Sequence, residues 1–95
     1  MNKRIKIKEY AVGLTIYQNE HDYYITGYPN QMFTVRQWDS AYDFENFVKK
    51  HFDYTDIQFD SETCQFFAYA QTEKQAILLC DNIEEHFTKV REMLN

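Results

Sequence analysis

The sequence has only two glycines, one proline and two cysteines among its 95 residues. It is therefore poor in the glycines of phosphate-binding loops and in the cysteines of structural zinc sites. With Gly13 and Gly27 alone, neither a GxGxxG nor a GxxxxGKS/T phosphate-binding loop can be formed. Cys64 and Cys80 form neither a CxxC motif nor a disulfide framework. No HExxH motif and no zinc-type Cys/His spacing occurs. We therefore expect no cofactor and no metal.

Long apolar runs are missing as well. No run approaches the 18 or so residues that a membrane-spanning helix requires, so we expect no membrane partner. The lysines near the amino terminus are not followed by an apolar segment, so we expect no secretory signal. The cysteine usage is typical of a reduced protein, and we predict a cytoplasmic location.

The residues that could carry catalysis are few and are better explained by packing. Cys80 falls on the apolar stripe of a predicted helix, which indicates an inert core residue, whereas the exposure of Cys64 is left open. His51 lies inside the apolar stripe of another predicted helix, and His86 lies at the edge of the first. Half-buried, hydrogen-bonded histidines are more common than ligands or bases in such places. We predict no catalytic residue and no enzyme activity.

The formal net charge is −5, and it is unevenly distributed. Residues 1–8 contain four basic groups and no acidic ones, which leaves six basic and fifteen acidic groups in the remainder. An acidic body of this kind argues against direct nucleic-acid binding, which requires cations that face phosphates.

The chain nevertheless contains enough apolar side chains to fold. Hydrophobic residues make up 44% of it, and its 18% aromatic content includes eight Phe, eight Tyr and one Trp. Each buried aromatic ring removes a large area from water. The length suits one domain that spans residues 1–95.

Two helices are predicted. The longer one, about 72–94, begins with a capping-box pattern at Thr72 and Gln75. Its apolar residues recur at helical spacing and form one stripe: Ala76, Leu79, Cys80, Ile83, Phe87, Val90 and Leu94. The shorter helix, about 40–52, has Asp39 or Ser40 as its cap and an apolar stripe through Phe44 and Val48.

The strand predictions rest on alternation. Residues 4–7 alternate with one phase and residues 10–16 with the other, so we expect a bulge or break near residues 8–9. Further strands are predicted at 23–28, 32–38, 53–59 and 64–70, the last of which is apolar on both faces and therefore central or covered. The predicted fold is α+β, an antiparallel sheet of about five strands in the order β-β-β-α-β-β-α, with both helices packed on one face.

The leading functional prediction is a small, non-enzymatic protein-interaction domain whose protein partner is possibly a second copy of the chain, as a homodimer. Tyrosines are concentrated in the first hairpin, and tyrosine and tryptophan favour interfaces. Leu78 falls off the stripe of its helix, which indicates either a subunit interface or burial by neighbouring loops. The candidate interface residues are Tyr23, Tyr24, Tyr28, Trp38, Tyr42 and Leu78, although sheet packing alone explains most tyrosines.

Two alternatives are kept. The stretch 39–62 carries seven acidic residues against two lysines, and it could mimic nucleic acid and so inhibit a DNA- or RNA-binding protein. The ordinary interpretation is a solvated surface. The second alternative is a small-molecule binder or small enzyme with an aromatic pocket between sheet and helix.

Overall fold

The computed structural model describes residues 4–34 and 37–94. Its strands are β1 (Ile5–Glu9), β2 (Thr15–Gln18), β3 (Tyr23–Gly27), β4 (Ile57–Phe59) and β5 (Phe66–Ala70). Its helices are α1 (Ala41–His51) and α2 (Glu73–Met93), with a short 3₁₀ helix at Pro29–Gln31. Within the described residues, no helix is both long and apolar enough to cross a membrane.

Both helices begin where their capping residues predict. The Ser40 hydroxyl accepts a hydrogen bond from the Asp43 amide at 3.4 Å. The Thr72 hydroxyl accepts one from the Gln75 amide at 3.2 Å. These bonds satisfy amide groups that have no partner within the helix. The predicted ranges 40–52 and 72–94 are confirmed, and each equals the observed helix plus one capping residue at either end.

The five strands form one antiparallel sheet in the order β1-β2-β3-β5-β4. The predicted α+β class, the antiparallel sheet and the order β-β-β-α-β-β-α are confirmed. The first three strands, however, differ from those predicted. The predicted strand over 4–16 is divided into β1, a turn and the first residues of β2. The predicted third strand at 32–38 is not formed in its described part.

The first predicted strand folds back on itself after its break. The register of β1 against β2 shifts between Lys6 and Lys8, which confirms the expected bulge. The chain then turns at Tyr10–Leu14, where the Tyr10 amide bonds the Leu14 carbonyl at 2.8 Å. Gly13 has φ +115°, and a Cβ there would lie 2.7 Å from Met32 Cγ. Only glycine fits this turn without strain.

The predicted strand at 32–38 is wrong in its described part, because Met32–Thr34 and Gln37–Trp38 are irregular. Val35 and Arg36 lie outside the described residues. The backbone groups of this segment bond locally instead of joining a ladder. The Phe33 amide bonds the Val12 carbonyl at 3.2 Å, and the Trp38 amide bonds Asn30 Oδ1 at 2.7 Å. The buried side chains of the described part are Met32, Thr34 and Trp38, whereas Phe33 is only half-buried, so the predicted alternation does not match the burial.

The core lies between one face of the sheet and the two helices. Ile16, Ile25 and Ala68 are paired across β2, β3 and β5 and therefore share that face. Phe44 of α1 meets Phe66 of β5 edge-on, with ring centroids 5.0 Å apart. The helix side of this core consists of fully or almost fully buried residues: Phe44, Val48, Ala76, Leu79, Cys80, Ile83 and Phe87. Both helices thus cover the same face.

The turn between β1 and β2 is fixed to α2 by polar contacts. The Tyr10 hydroxyl donates to Asp81 Oδ1 at 2.7 Å, and the Val12 amide donates to Glu84 Oε1 at 3.1 Å. Burial and the bond to Asp81 together raise the pKa of Tyr10 above its ordinary value. The hydroxyl therefore stays protonated in the folded chain at a pH where it ionises in the unfolded chain.

This contact predicts an alkaline loss of stability. The Tyr10 hydroxyl contributes its full stabilisation below the pKa of about 10 that tyrosine has in the unfolded chain. This stabilisation is lost as the pH rises further, because the unfolded chain then binds fewer protons than the folded chain. Replacing Tyr10 by Phe should lower the free energy of unfolding at neutral pH by about 1 kcal/mol. Above pH 10 the free energy of unfolding of the variant should fall less steeply with pH than that of the wild type, by the slope that about one bound proton contributes. Urea denaturation across this pH range measures both, and an unchanged slope would contradict the assignment.

Candidate interaction surface

The sheet has a second face, here called the open face, which points away from both helices. Register places Tyr17, Tyr24, Tyr69 and Gln58 side by side across β2, β3, β5 and β4, and Lys6 continues this row onto β1. A second row runs parallel to it and consists of Glu9, Thr15, Thr26 and Phe67. Residues that pair directly in an antiparallel sheet share a face, so both rows belong to the open face.

Four rings form the centre of the open face: Tyr17, Tyr24, Phe67 and Tyr69, the aromatic cluster. Tyr17 stacks on Tyr24 with centroids 5.1 Å apart. Phe67 and Tyr69 lie 6.4 and 6.1 Å from Tyr24. Tyr24 is only 4% exposed although no helix covers it, because its neighbours on the sheet enclose it.

Arg4 completes this arrangement from the start of β1. Its guanidinium carbon lies 5.3 Å from the ring centroid of Tyr17 and 5.5 Å from that of Tyr24, and a guanidinium nitrogen donates to the Tyr24 hydroxyl. A cation over aromatic faces is attracted by their quadrupoles. Arginine and aromatic rings are also the residues most enriched at protein interfaces.

Strand β5 explains why the cluster exists. It lies between β3 and β4 and presents Phe66, Ala68 and Ala70 to the helices. Its other two side chains, Phe67 and Tyr69, are on the open face and are half-buried. The strand at 64–70 was predicted to be either central or covered on both faces. The structure confirms that it is central, because β5 has a neighbour on each side. Its second face carries the half-buried rings of Phe67 and Tyr69 on the side away from both helices.

Charge is distributed unevenly around the cluster. Lys6, at the β1 side, forms an ion pair with Glu9, whose carboxylate raises the pKa of Lys6. At the other side, burial and then the carboxylates of Asp60 and Asp22 raise the pKa of Tyr69. A cavity of about 450 Å³ adjoins Tyr69, and its lining includes Asp22, Asp56 and Gln58. The Asp56 carboxylate accepts a hydrogen bond from Gln75 of α2 at 3.0 Å. One side of the surface is therefore weakly basic and the other acidic.

The six predicted interface residues do not form one surface. Tyr24 lies on the open face, whereas Tyr23 points to the opposite face and packs against the core. Tyr28, Tyr42 and Leu78 are exposed, Leu78 by 54%. Tyr42 belongs to α1 and Leu78 to α2, in the layer on the far side of the sheet. An interface that used Tyr42 and Leu78 would lie on the helix layer and not on the open face.

Trp38 is corrected, because the structure places it in the core. It is 3% exposed, and its ring meets Phe44 and Phe47 edge-on, with centroids 5.1 and 5.4 Å away. Its indole Nε1 donates to the Thr34 hydroxyl at 2.7 Å. A side chain that is enclosed and hydrogen-bonded in this way has almost no surface to offer a partner.

The predicted list of interface residues omits four residues of the surface: Arg4, Tyr17, Phe67 and Tyr69. A signal for two of them was present, since 64–70 is apolar on both faces. That pattern alone cannot say whether the second face meets another part of the same chain or solvent. Arg4 belongs to a lysine-rich stretch that indicates only an edge strand guarded by charge.

Of the two cysteines, Cys64 is exposed and Cys80 is buried. Burial raises the pKa of the Cys80 thiol above its ordinary value, so it stays protonated and is a poor nucleophile. His51 and His86 stack with centroids 6.5 Å apart, and both rings lie against Phe47. Among the described residues, no group of three or more His, Cys, Asp and Glu side chains could hold a metal ion.

The acidic stretch 39–62 has local roles for some of its carboxylates. Glu45 pairs with Lys49 at 3.3 Å and accepts from the Ser61 amide at 3.4 Å. Asp53 accepts from the amide and hydroxyl of Thr55, and these bonds lower its pKa. These two carboxylates therefore stabilise the local backbone at Ser61 and Thr55.

Comparison with protein-family models, with curated proteins and with solved structures found no match to this chain.

Proposed function

We propose that this chain is a small, non-enzymatic protein-interaction domain that binds a second copy of itself through the open face. The observation that carries the proposal is the aromatic cluster on a sheet face that the helices leave uncovered. Rings on a solvated face expose apolar area that association removes from water. The two free cysteines support a reducing compartment, and the proposal includes the cytoplasm as the location.

The size of the surface sets the expected strength. Five strands at about 4.8 Å spacing and about five residues long span roughly 20 by 17 Å. Such a face, about 340 Å² per copy, is smaller than the roughly 800 Å² per partner of a stable specific interface, so the dimer should be weak, with a Kd no tighter than the micromolar range. The ring pairs that already exist within one copy favour dimer formation, because the rings lose little conformational freedom when a partner binds.

A second copy suits the open face better than a single-stranded nucleic acid does. Aromatic rings on a sheet can stack bases, but such sites also line the phosphates with cations. Here Asp22 and Asp60 lie beside Tyr69, where a phosphate backbone would be repelled. A protein surface that carries both signs of charge does not meet this obstacle.

Sedimentation equilibrium over a broad dilution series tests the proposal. The wild-type protein should convert between monomer and dimer with a micromolar Kd. Tyr42→Ser and Leu78→Ser, which alter exposed residues on the two helices, should leave that Kd unchanged. A protein that stays monomeric at every concentration would remove the proposal. Loss of the dimer in either helix variant would place the contact on the helices instead.

A further inference from the structure

We infer that Arg4 is an autoinhibitory lid on the aromatic cluster: its guanidinium must leave the rings of its own copy, or be buried unpaired, before a second copy can bind. The inference rests on the proposed self-association through the open face, and it adds what holds that association back. Loss of Arg4 should therefore strengthen self-association, whereas loss of an ordinary contact residue would weaken it.

The guanidinium of Arg4 bridges the two stacked rings of the cluster. Its carbon lies 5.3 Å from the ring centroid of Tyr17 and 5.5 Å from that of Tyr24, and the two centroids are 5.1 Å apart. The three groups thus form a nearly equilateral triangle, in which one cation contacts both rings. The guanidinium also donates a hydrogen bond to the Tyr24 hydroxyl, so the polar tip of Tyr24 already has a partner within one copy.

The lid can open without disturbing the sheet. Arg4 precedes β1, whose ladder with β2 begins at the pair formed by Ile5 and Gln18. The residue is exposed, and its side chain can move away from the rings by rotation between staggered rotamers. Opening therefore costs the contacts with Tyr17 and Tyr24 and leaves the strands paired.

Binding of a second copy over the closed lid is unfavourable as well. Among the described residues, no carboxylate forms an ion pair with Arg4, and the one acidic residue of β1, Glu9, pairs with Lys6. A closed lid would lose water between two faces, and a charge that is buried without a partner costs free energy. Arginine strengthens an interface when the other molecule supplies a carboxylate or a ring, but the Arg4 guanidinium already has two rings of its own copy.

The expected effect of the lid is moderate. One cation–π contact at an exposed site corresponds to a factor of roughly two to five in an equilibrium constant. Each of the two copies must open its lid, so this factor enters twice. Arg4→Gln keeps a polar side chain but removes the charge, and it should tighten self-association by about 5- to 25-fold.

Sedimentation equilibrium of the wild type and three variants tests the lid. Lys6→Gln is the matched control for Arg4→Gln, because it removes one positive charge from the same edge of the open face, and the Lys6 ammonium pairs with Glu9. It should not tighten self-association, since loss of a cation from a chain of net charge −5 only increases the repulsion between copies. Tyr24→Phe keeps the ring and removes the hydroxyl that accepts from Arg4, so it should tighten self-association by a smaller factor than Arg4→Gln.

The possible outcomes separate the lid from the proposed function. A wild-type dimer that Arg4→Gln weakens or leaves unchanged would overturn the lid and leave self-association through the open face standing. Equal tightening by Arg4→Gln and Lys6→Gln would also overturn the lid, because the effect would then belong to the charge at this edge of the sheet. If the wild type and all three variants stay monomeric at every concentration, the proposed function falls and the lid falls with it. Circular dichroism of each variant checks that the sheet and the helices remain formed.

Discussion

Replacing Phe44 by Ala should lower the free energy of unfolding by about 3–5 kcal/mol. Phe44 is fully buried and meets three rings from three different parts of the chain. Trp38 and Phe66 contact it edge-on at 5.0–5.1 Å between centroids, and Phe87 of α2 stacks on it at 6.5 Å. Truncation removes its transfer free energy and leaves a cavity that these large rings cannot fill.

Urea denaturation measures this loss, which is a large share of the 5–15 kcal/mol typical of a domain. Tyr42→Ala is the matched control, since it removes an aromatic ring from the same helix at an exposed position. Its effect should stay within about 0.5 kcal/mol. A cost below about 1 kcal/mol for Phe44→Ala would contradict the position of this ring at the centre of the core.

Replacing Phe67 by Lys should weaken self-association about 30-fold or more. Phe67 belongs to the aromatic cluster, and truncating a central aromatic residue of an interface typically costs at least about 2 kcal/mol. The new ammonium group would also have to lose water on association, which costs further free energy. Sedimentation equilibrium of wild type and variant compares the two dissociation constants directly.

The control places the same charge on the other side of the molecule. Tyr42→Lys also exchanges an aromatic residue for a lysine, but on α1, and should leave the dissociation constant unchanged. Urea denaturation of both variants checks that the monomer remains folded. An unchanged dimer in folded Phe67→Lys would show that the open face is not the contact surface.

Local sequence signals predicted a large part of the fold because they act over short distances. Capping at Ser40 and Thr72 depends on residues three positions apart, and the stripe of α2 depends on helical spacing. The bulge between Lys6 and Lys8 was visible as a change in the phase of alternation. The prediction for 32–38 was wrong because alternation alone does not decide whether a segment pairs in a sheet: Thr34 is buried and Phe33 is only half-buried, the reverse of the predicted phase.

The candidate surface was less accessible to sequence reasoning. Tryptophan and tyrosine are both enriched at interfaces, yet Trp38 lies in the core and Tyr24 lies on the open face. Phe67 was recognised only as part of a strand with two apolar faces. Which face the helices cover depends on how β3 and β5 come together across more than forty residues of chain, and no local pattern records that.

The sequence by itself determined the helices and their caps, the α+β class with an antiparallel sheet and the absence of the common nucleotide and zinc motifs. These properties follow from residue spacing and composition along the chain. The tertiary structure alone decided the strand order β1-β2-β3-β5-β4, and with it the row that brings Tyr17, Tyr24 and Tyr69 together. That row exists because both helices pack on one face of the sheet, and an antiparallel sheet can leave its second face to solvent.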